Sequence, residues 1–176
     1  MTCTRFISDL HIDHKKILKF AGEYRGGSTV EEHNEWLVEQ WNSVVTKRDV
    51  TWVLGDVAFT VEGMKYLDRM NGKKVLVLGN HDRFDIGVYQ KYFYKIHGFT
   101  KHSGFWMSHA PIHPSELRGK PNIHGHTHQN IADISYDDSY IPVCVECCGG
   151  VPVSLDLIRS GEYCILNLHE FARKPL

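Results

Sequence analysis

The chain has 176 residues, 42% of them apolar, and a formal net charge of -1; that length predicts one domain, residues 1–176, able to bury most of its apolar side chains. A near-neutral chain offers no field to draw nucleic acid or an anionic membrane surface, and no apolar run approaches the ~18 residues of a spanning helix. The stretch MTCTRFISDL lacks the charged, apolar and cleavage regions of a secretion signal, so a cytoplasmic protein is expected, with its five cysteines as thiols.

In chain order, TRFIS predicts a short strand and HKKILKFAG a helical turn or two. TVEEHNEWLVEQWNSVV predicts a helix with Thr29 as N-cap, Glu32 at the capping-box position, and Trp36, Leu37 and Trp41 along one face. TWVL reads as a strand, VEGMKYLDRM as a short helix and KKVLVL as a strand. The stretch DIGVYQKYF is expected to be irregular, with strands near YKIHG and GFWMS. After a Pro-rich stretch, NIH and YIPVCVE read as strands, SLDLIRS as a short helix and EYCILNL as a closing strand. Strands alternate with helices without repeat, linker or boundary, which predicts a single α/β domain. Cys144, Cys147, Cys148 and Cys164 have the count for a structural zinc site. Cys144 and Cys147, three apart in or beside a strand, would face opposite ways, so thiols packed as small apolar groups are expected instead.

The polar clusters SDLH, GD at 55–56, GNHD at 79–82, SH at 108–109 and HGHTH at 124–128 each begin where an apolar run ends. In α/β architectures the carboxyl ends of strands face a common crevice, so these loops can converge. Asp9 and His11, like His126 and His128, are two apart and can project to one side of an extended segment. With Asp56, Asn80 and His109 they supply oxygen and imidazole donors from five strand ends, the mixture that a pair of borderline divalent ions prefers. A D-x-H or H-x-H pattern arises about once by chance in such a chain, whereas GNHD is expected ~0.003 times, so the weight lies in the order and placement of all five clusters.

That series, D-x-H, G-D, G-N-H-D, S-H and G-H-x-H over residues 9–128, resembles the calcineurin-like metallophosphoesterases. SHAPIHPSEL, NIHGHTHQN and VPVSLDLI are similar to a compact, cap-less branch of that family, extending the match to about residue 158. The resemblance implies an α/β fold of two facing mixed β-sheets flanked by helices, a four-layer sandwich. It implies two divalent metal ions, one held by Asp9, His11, Asp56 and His128, the other by Asp56, Asn80, His109 and His126, with Asp56 bridging. Manganese is the first expectation, and iron, zinc, nickel or cobalt fit the same donors. Two carboxylates offset about two of the four metal charges, leaving a site suited to a bridging hydroxide and an incoming phosphate. His81 is then the residue that contacts phosphate and protonates the leaving oxygen. Asp82 is expected to hold the His81 imidazole in its tautomer, the alternative being a turn-capping carboxylate. Arg83, His14 and His113 are candidate substrate contacts, each with an ordinary reading as a solvated or loop side chain, and His124 is a candidate partner for a ligand. His33, His97, His102 and His169 carry no motif and read as surface or packing residues.

The function expected is metal-dependent hydrolysis of a small phosphate ester such as a nucleotide, a phosphodiester in preference to a phosphomonoester. A nuclease of the same fold is the alternative enzyme, disfavoured because no basic stripe is present to hold a polyanion. A non-catalytic protein-binding scaffold is the third, since a similar-sized retromer subunit uses this fold to bind proteins; that subunit lacks the GNH histidine, which is present here as His81.

Overall fold

The computed structural model describes residues 2–128 and 138–163. Strands β1 (Thr4–Ile7), β2 (Val50–Val53), β3 (Lys73–Val77) and β4 (Lys95–His97) run parallel side by side, and β9 (Val153–Ser154) pairs antiparallel with β1. A second mixed sheet has the order β5 (Thr100–His102), β6 (Phe105–Met107), β7 (Asn122–His124), β8 (Tyr140–Pro142), antiparallel only between β5 and β6. The β-branched and aromatic runs of β1 to β3 suit strands buried on both faces, and their side chains divide with period two. Phe6, Trp52, Leu54, Val75 and Val77 face the second sheet and meet Met107, Ile123 and Val143. Ile7, Val53 and Leu76 point the other way, onto Leu37, Val38 and Trp41 of α2 (Val30–Val44). On the second sheet's far side, Trp106 Nε1 donates to Leu117 O at the end of α4 (Pro114–Leu117), 2.9 Å away. The expected architecture of two mixed sheets flanked by helices is therefore present.

Local chemistry fixes the element ends. Thr29 Oγ1 accepts from Glu32 N at 3.1 Å while Glu32 Oε2 accepts from Thr29 N at 3.3 Å, the reciprocal cap that the sequence predicts. HKKILKFAG holds α1 (Ile17–Ala21), and SLDLIRS holds α6 (Leu155–Ser160) with Ser154 as its N-cap. VEGMKYLDRM is a 3-10 helix, Gly63–Arg69, and DIGVYQKYF contains α3 (Ile86–Tyr89). YIPVCVE is strand only to Pro142; Cys144 is the N-cap of α5 (Val145–Cys148). Cys3, Cys144, Cys147 and Cys148 are free, while Cys164, His169 and most of the predicted closing strand lie outside the described residues. Among the described residues no helix is long and apolar enough to cross a membrane.

The two sheets converge at the carboxyl end of β1. Ser8 N donates to Val143 O at 2.9 Å and Val145 N to Ser8 O at 3.1 Å, so the chain leaving β1 is stitched to the chain leaving β8. The loops after β1, β2, β3, β6 and β7 all open at this end, as strand polarity dictates. The reciprocal cap lies on the surface, away from these loops. Thr29→Ala is therefore expected to cost about 1 kcal/mol in chemical denaturation and to leave divalent-ion uptake unchanged.

Candidate metal centre

The segment after β1 runs beside the segment after β2: Asp9 N, His11 N and Ile12 N donate to Gly55 O, Asp56 O and Val57 O, each at 3.0 Å. Neither segment is extended. Asp9, His11, Asp56, His126 and His128 have φ of 59°, 52°, 55°, 73° and 49°, so five of the seven expected ligands occupy left-handed backbone. Convergence of Asp9 with His11, and of His126 with His128, thus comes from strained turns, a correction to the extended geometry read from their spacing. Such conformations cost on the order of 1–3 kcal/mol each and concentrate where function requires them. Two glycines let the backbones approach: a Cβ on Gly55 (φ 88°) would sit 2.6 Å from Gly79 Cα, and one on Gly79 would sit 2.6 Å from Asp56 N.

The side chains form two groups sharing one oxygen. Asp9 Oδ1 lies 3.8 Å from His11 Nε2 and 3.6 Å from His128 Nε2, and His11 Nε2 lies 3.5 Å from Asp56 Oδ2. Asp56 Oδ2 is also 3.5 Å from His109 Nε2. His109 Nε2, Asn80 Oδ1 and His126 Nδ1 close a triangle of 2.9, 3.0 and 3.2 Å. Donors ~2.1 Å from one ion lie ~3.0–3.5 Å apart, close to these separations. The donors of Asp9, His11 and His128, and those of Asp9, Asp56 and His109, are each mutually within 4.8 Å. The structure therefore brings all seven expected ligands to one place, with Asp9 close to donors of both implied groups.

Proton placement explains why the cluster fits cations. His109 Nδ1 donates to Leu54 O at 2.8 Å, which leaves its Nε2 as a lone pair facing Asn80 Oδ1. His128 Nδ1 donates to Glu146 Oε1 at 3.0 Å, leaving Nε2 a lone pair facing Asp9. His11 Nδ1 meets His14 Nδ1 at 3.0 Å; donation from His11 leaves its Nε2 turned toward both carboxylates. Among the described residues, Asp9 Oδ1 and His11 Nε2 are buried without a hydrogen-bond partner. Buried lone pairs facing one another repel unless a cation stands between them. Burial alone would raise the Asp9 and Asp56 carboxyls, but in the absence of a cation a proton shared from His11 and the charge of the neighbouring histidines hold both below the ordinary carboxylate range, and the two carboxylates in turn raise His11, so imidazolium charge stands where a cation would.

The remaining candidates separate. His81 N donates to Asp56 Oδ1 at 2.9 Å, and its ring stands 5.9 Å from the His11 ring and 5.1 Å from the Phe59 ring, centroid to centroid. Among the described residues its imidazole nitrogens make no hydrogen bond. Asp82 does not orient that ring. Its carboxylate accepts from Gly79 N at 2.8 Å, Asp56 N at 2.9 Å and Val57 N at 3.0 Å, tying the loops after β2 and β3 together. The turn-capping alternative describes it, because three converging amides outcompete an adjacent imidazole. His14 stacks on Phe59, centroids 4.0 Å apart, and supports His11, while burial lowers its pKa to about 4. Arg83 is exposed and donates from Nε to Asn80 O at 3.2 Å. His113 caps α4 through Ser115 and makes no polar contact with the cluster. His124, buried at a strand end, bonds to Gly125 O at 2.8 Å, and burial depresses its pKa to about 4.

Three polar residues around the cluster escape the motif reading. Glu146 and Arg25 are buried against one another, their charged atoms 2.7 Å apart, behind His128 and Asp9. Asp13 accepts from Asn34 Nδ2 at 2.6 Å and from the Thr60 hydroxyl, bracing the loop that carries Phe59. The usable signal was a lone carboxylate inside the apolar YIPVCVE; Arg25 in GEYRGG gives none.

No family model matches the chain. It is 35% identical to the uncharacterized protein MJ1445 of Methanocaldococcus jannaschii over 86% of each chain. It is 32% identical to the gene 66 protein of Mycobacterium phage L5, over 73% of this chain and 78% of that one. A crystal structure of the protein of unknown function AQ665 from Aquifex aeolicus superposes with a TM-score of 0.72 at 25% identity, covering 91% of this chain and 99% of that one.

Removing the Asp82 carboxylate strands three amides. Asp82→Ala is expected to lower the melting temperature by an amount equivalent to roughly 2–4 kcal/mol and to weaken divalent-ion uptake. An unchanged melting temperature with altered His81 titration by NMR would restore Asp82 to the role of orienting His81.

Proposed function

This chain belongs to one family with MJ1445 and the phage L5 gene 66 protein, and we propose that it is a dinuclear metal-dependent phosphoesterase of the calcineurin-like type. We place it in the cytoplasm, acting as a hydrolase on a small phosphodiester such as a nucleotide. The observation that carries this reading is the pair of donor groups sharing Asp56 Oδ2, with lone pairs turned toward one another at 2.9 to 3.8 Å. Among the described residues the four cysteines are free thiols, which supports a reducing compartment.

Two divalent cations, manganese or else iron, zinc, nickel or cobalt, would neutralise phosphoryl oxygens and acidify a water molecule. The rest of the chemistry belongs to side chains. Asp9 and Asp56 contribute two negative charges while four neutral imidazoles and the Asn80 amide contribute none, so a loaded site stays cationic and attracts phosphate. The Asp56 Oδ1 bond to His81 N holds the His81 ring beside the cluster. Its ring nitrogens, free of partners among the described residues, are available to bind a phosphoryl oxygen and to give a proton to the leaving oxygen. Asp82 takes no part in that transfer because its oxygens are occupied by backbone amides. The weak net charge favours a compact diester over a polyanion.

Metal analysis of the purified protein, followed by hydrolysis assays on cyclic nucleotides, aryl diesters, aryl monoesters and nucleic acids, tests this reading. Metal-restored cleavage of small diesters is expected; cleavage of DNA or RNA alone points to the nuclease, and no cleavage of any ester to the scaffold. Asp56→Ala should lose both ions and all activity, whereas two ions retained in that variant would rule out a shared ligand. His81→Ala should keep both ions yet lose ~10²–10⁴-fold in turnover of an alkoxide ester, with a smaller loss for a nitrophenolate. Equal losses on both esters would reassign His81 to phosphate binding, and loss of a metal would end its separation from the ligands.

A further inference from the structure

Behind the donor group of Asp9, His11 and His128 lies a buried charged pair that no motif marks. Glu146, on α5, concentrates its contacts on one oxygen: Oε1 accepts from Arg25 Nε at 2.8 Å, Arg25 Nη2 at 2.7 Å and His128 Nδ1 at 3.0 Å. Its Oε2 is buried without a partner. Arg25 spends its other donors on the main chain between two expected ligands, giving Nη2 to Asp9 O at 2.7 Å and Nη1 to Leu10 O at 3.0 Å. His33 completes the set: its Nδ1 donates to Gly26 O at 3.3 Å, so its Nε2 accepts from Arg25 Nη1 at 3.3 Å. Burial, and then Arg25, lower the pKa of His33 to about 4, in keeping with a neutral acceptor.

A buried ion pair seldom adds net stability over an apolar pair of the same volume, and leaving one carboxylate oxygen unbonded makes this one poorer still. What it does achieve is geometric. Arg25 grips the carbonyls of a segment whose residues Asp9 and His11 sit at φ of 59° and 52°, holding a strained turn in place. Glu146 receives the Nδ1 proton of His128, which forces the lone pair onto Nε2, the atom turned toward Asp9 Oδ1. Cys147, next to Glu146, donates its thiol to His128 O at 3.4 Å, so α5 holds both ends of that residue.

We propose that Arg25 and Glu146 are positioning residues that set the His128 tautomer and the Asp9–His11 turn, and so determine the affinity of one ion of the pair. The ion itself rests on the function proposed above; the tautomer and the turn do not. The group of Asn80, His109 and His126 has its own support, His109 Nδ1 on Leu54 O, and among the described residues none of its side chains bonds to Arg25 or Glu146; its link to the clamped turn is the His126 amide, which donates to Asp9 Oδ2 at 3.0 Å. The two sites should therefore respond differently.

The test uses the full chain, a folded double variant and a probe that needs no metal. Arg25→Met with Glu146→Met removes both buried charges at similar volume and should fold, since neither charge is left alone. In metal-free wild type, ¹⁵N-histidine NMR should show His128 protonated at Nδ1; the double variant should show a tautomer mixture. On titration with Mn²⁺, wild type should bind two ions, and the double variant should bind one as wild type does and the other ~10–100-fold more weakly. Glu146→Gln, which keeps an oxygen for His128, should show a loss of ~10-fold or less at the same ion. A folded double variant with the wild-type tautomer and two wild-type affinities would overturn the proposal. If that variant does not fold, a metal-free wild type with His128 protonated at Nε2 overturns it equally. A wild-type protein that takes up no metal refutes the phosphoesterase reading and leaves the metal-free tautomer comparison to decide the clamp.

Discussion

The site depends on the carboxylate of Asp56, at which four loops meet. Oδ1 accepts the His81 amide, and Oδ2 stands 3.5 Å from both His11 Nε2 and His109 Nε2. The same residue's amide goes to Asp82 and its carbonyl accepts from His11 N. Asp56 thus ties the loops after β1, β2 and β3 by hydrogen bonds, and its Oδ2 faces the loop after β6. Burying such an anion among imidazole lone pairs is costly in the absence of compensating positive charge. That cost is the physical reason for reading the cluster as a cation site.

Stability must then come from elsewhere in the molecule. The inter-sheet core around Phe6, Val75, Met107 and Ile123 and the helix-facing core around Trp41 and Leu76 are extensive apolar clusters, the second edged by the buried Lys74 amine, which lies over the Trp41 ring and donates to Met70 O. They carry a rim of left-handed turns, close glycine contacts and unpaired polar atoms that would not persist alone. Ligands that bind only the folded state add to its stability in proportion to the logarithm of their excess over the dissociation constant. A centre of this kind thus returns stability when loaded.

Much of this arrangement is legible in the sequence, for identifiable reasons. TRFI, TWV and KKVLV are apolar enough to announce themselves as strands, and the parallel order places their carboxyl ends together, which is why seven scattered polar residues converge. Strands β5 and β9 are not legible: Thr100–His102 and Val153–Ser154 are two or three residues long and become strands only by pairing with β6 and β1. Cys144 looks like strand until the bridge from Ser8 ends the sheet and α5 begins. Asp82 shows the limit of adjacency, since it neighbours His81 in the chain while its carboxylate turns back to the β2 and β3 loops. Arg25 and Glu146 are 121 residues apart, a separation that no local pattern spans.

Whether two ions share the Asp56 carboxylate is decided by electron paramagnetic resonance of protein loaded with two equivalents of Mn²⁺. The multiline spectrum of an exchange-coupled pair is expected, because a shared Asp56 would place the ions within a few ångströms of each other. Two tightly bound equivalents that give only the spectrum of isolated, uncoupled Mn²⁺ would contradict the sharing of Asp56.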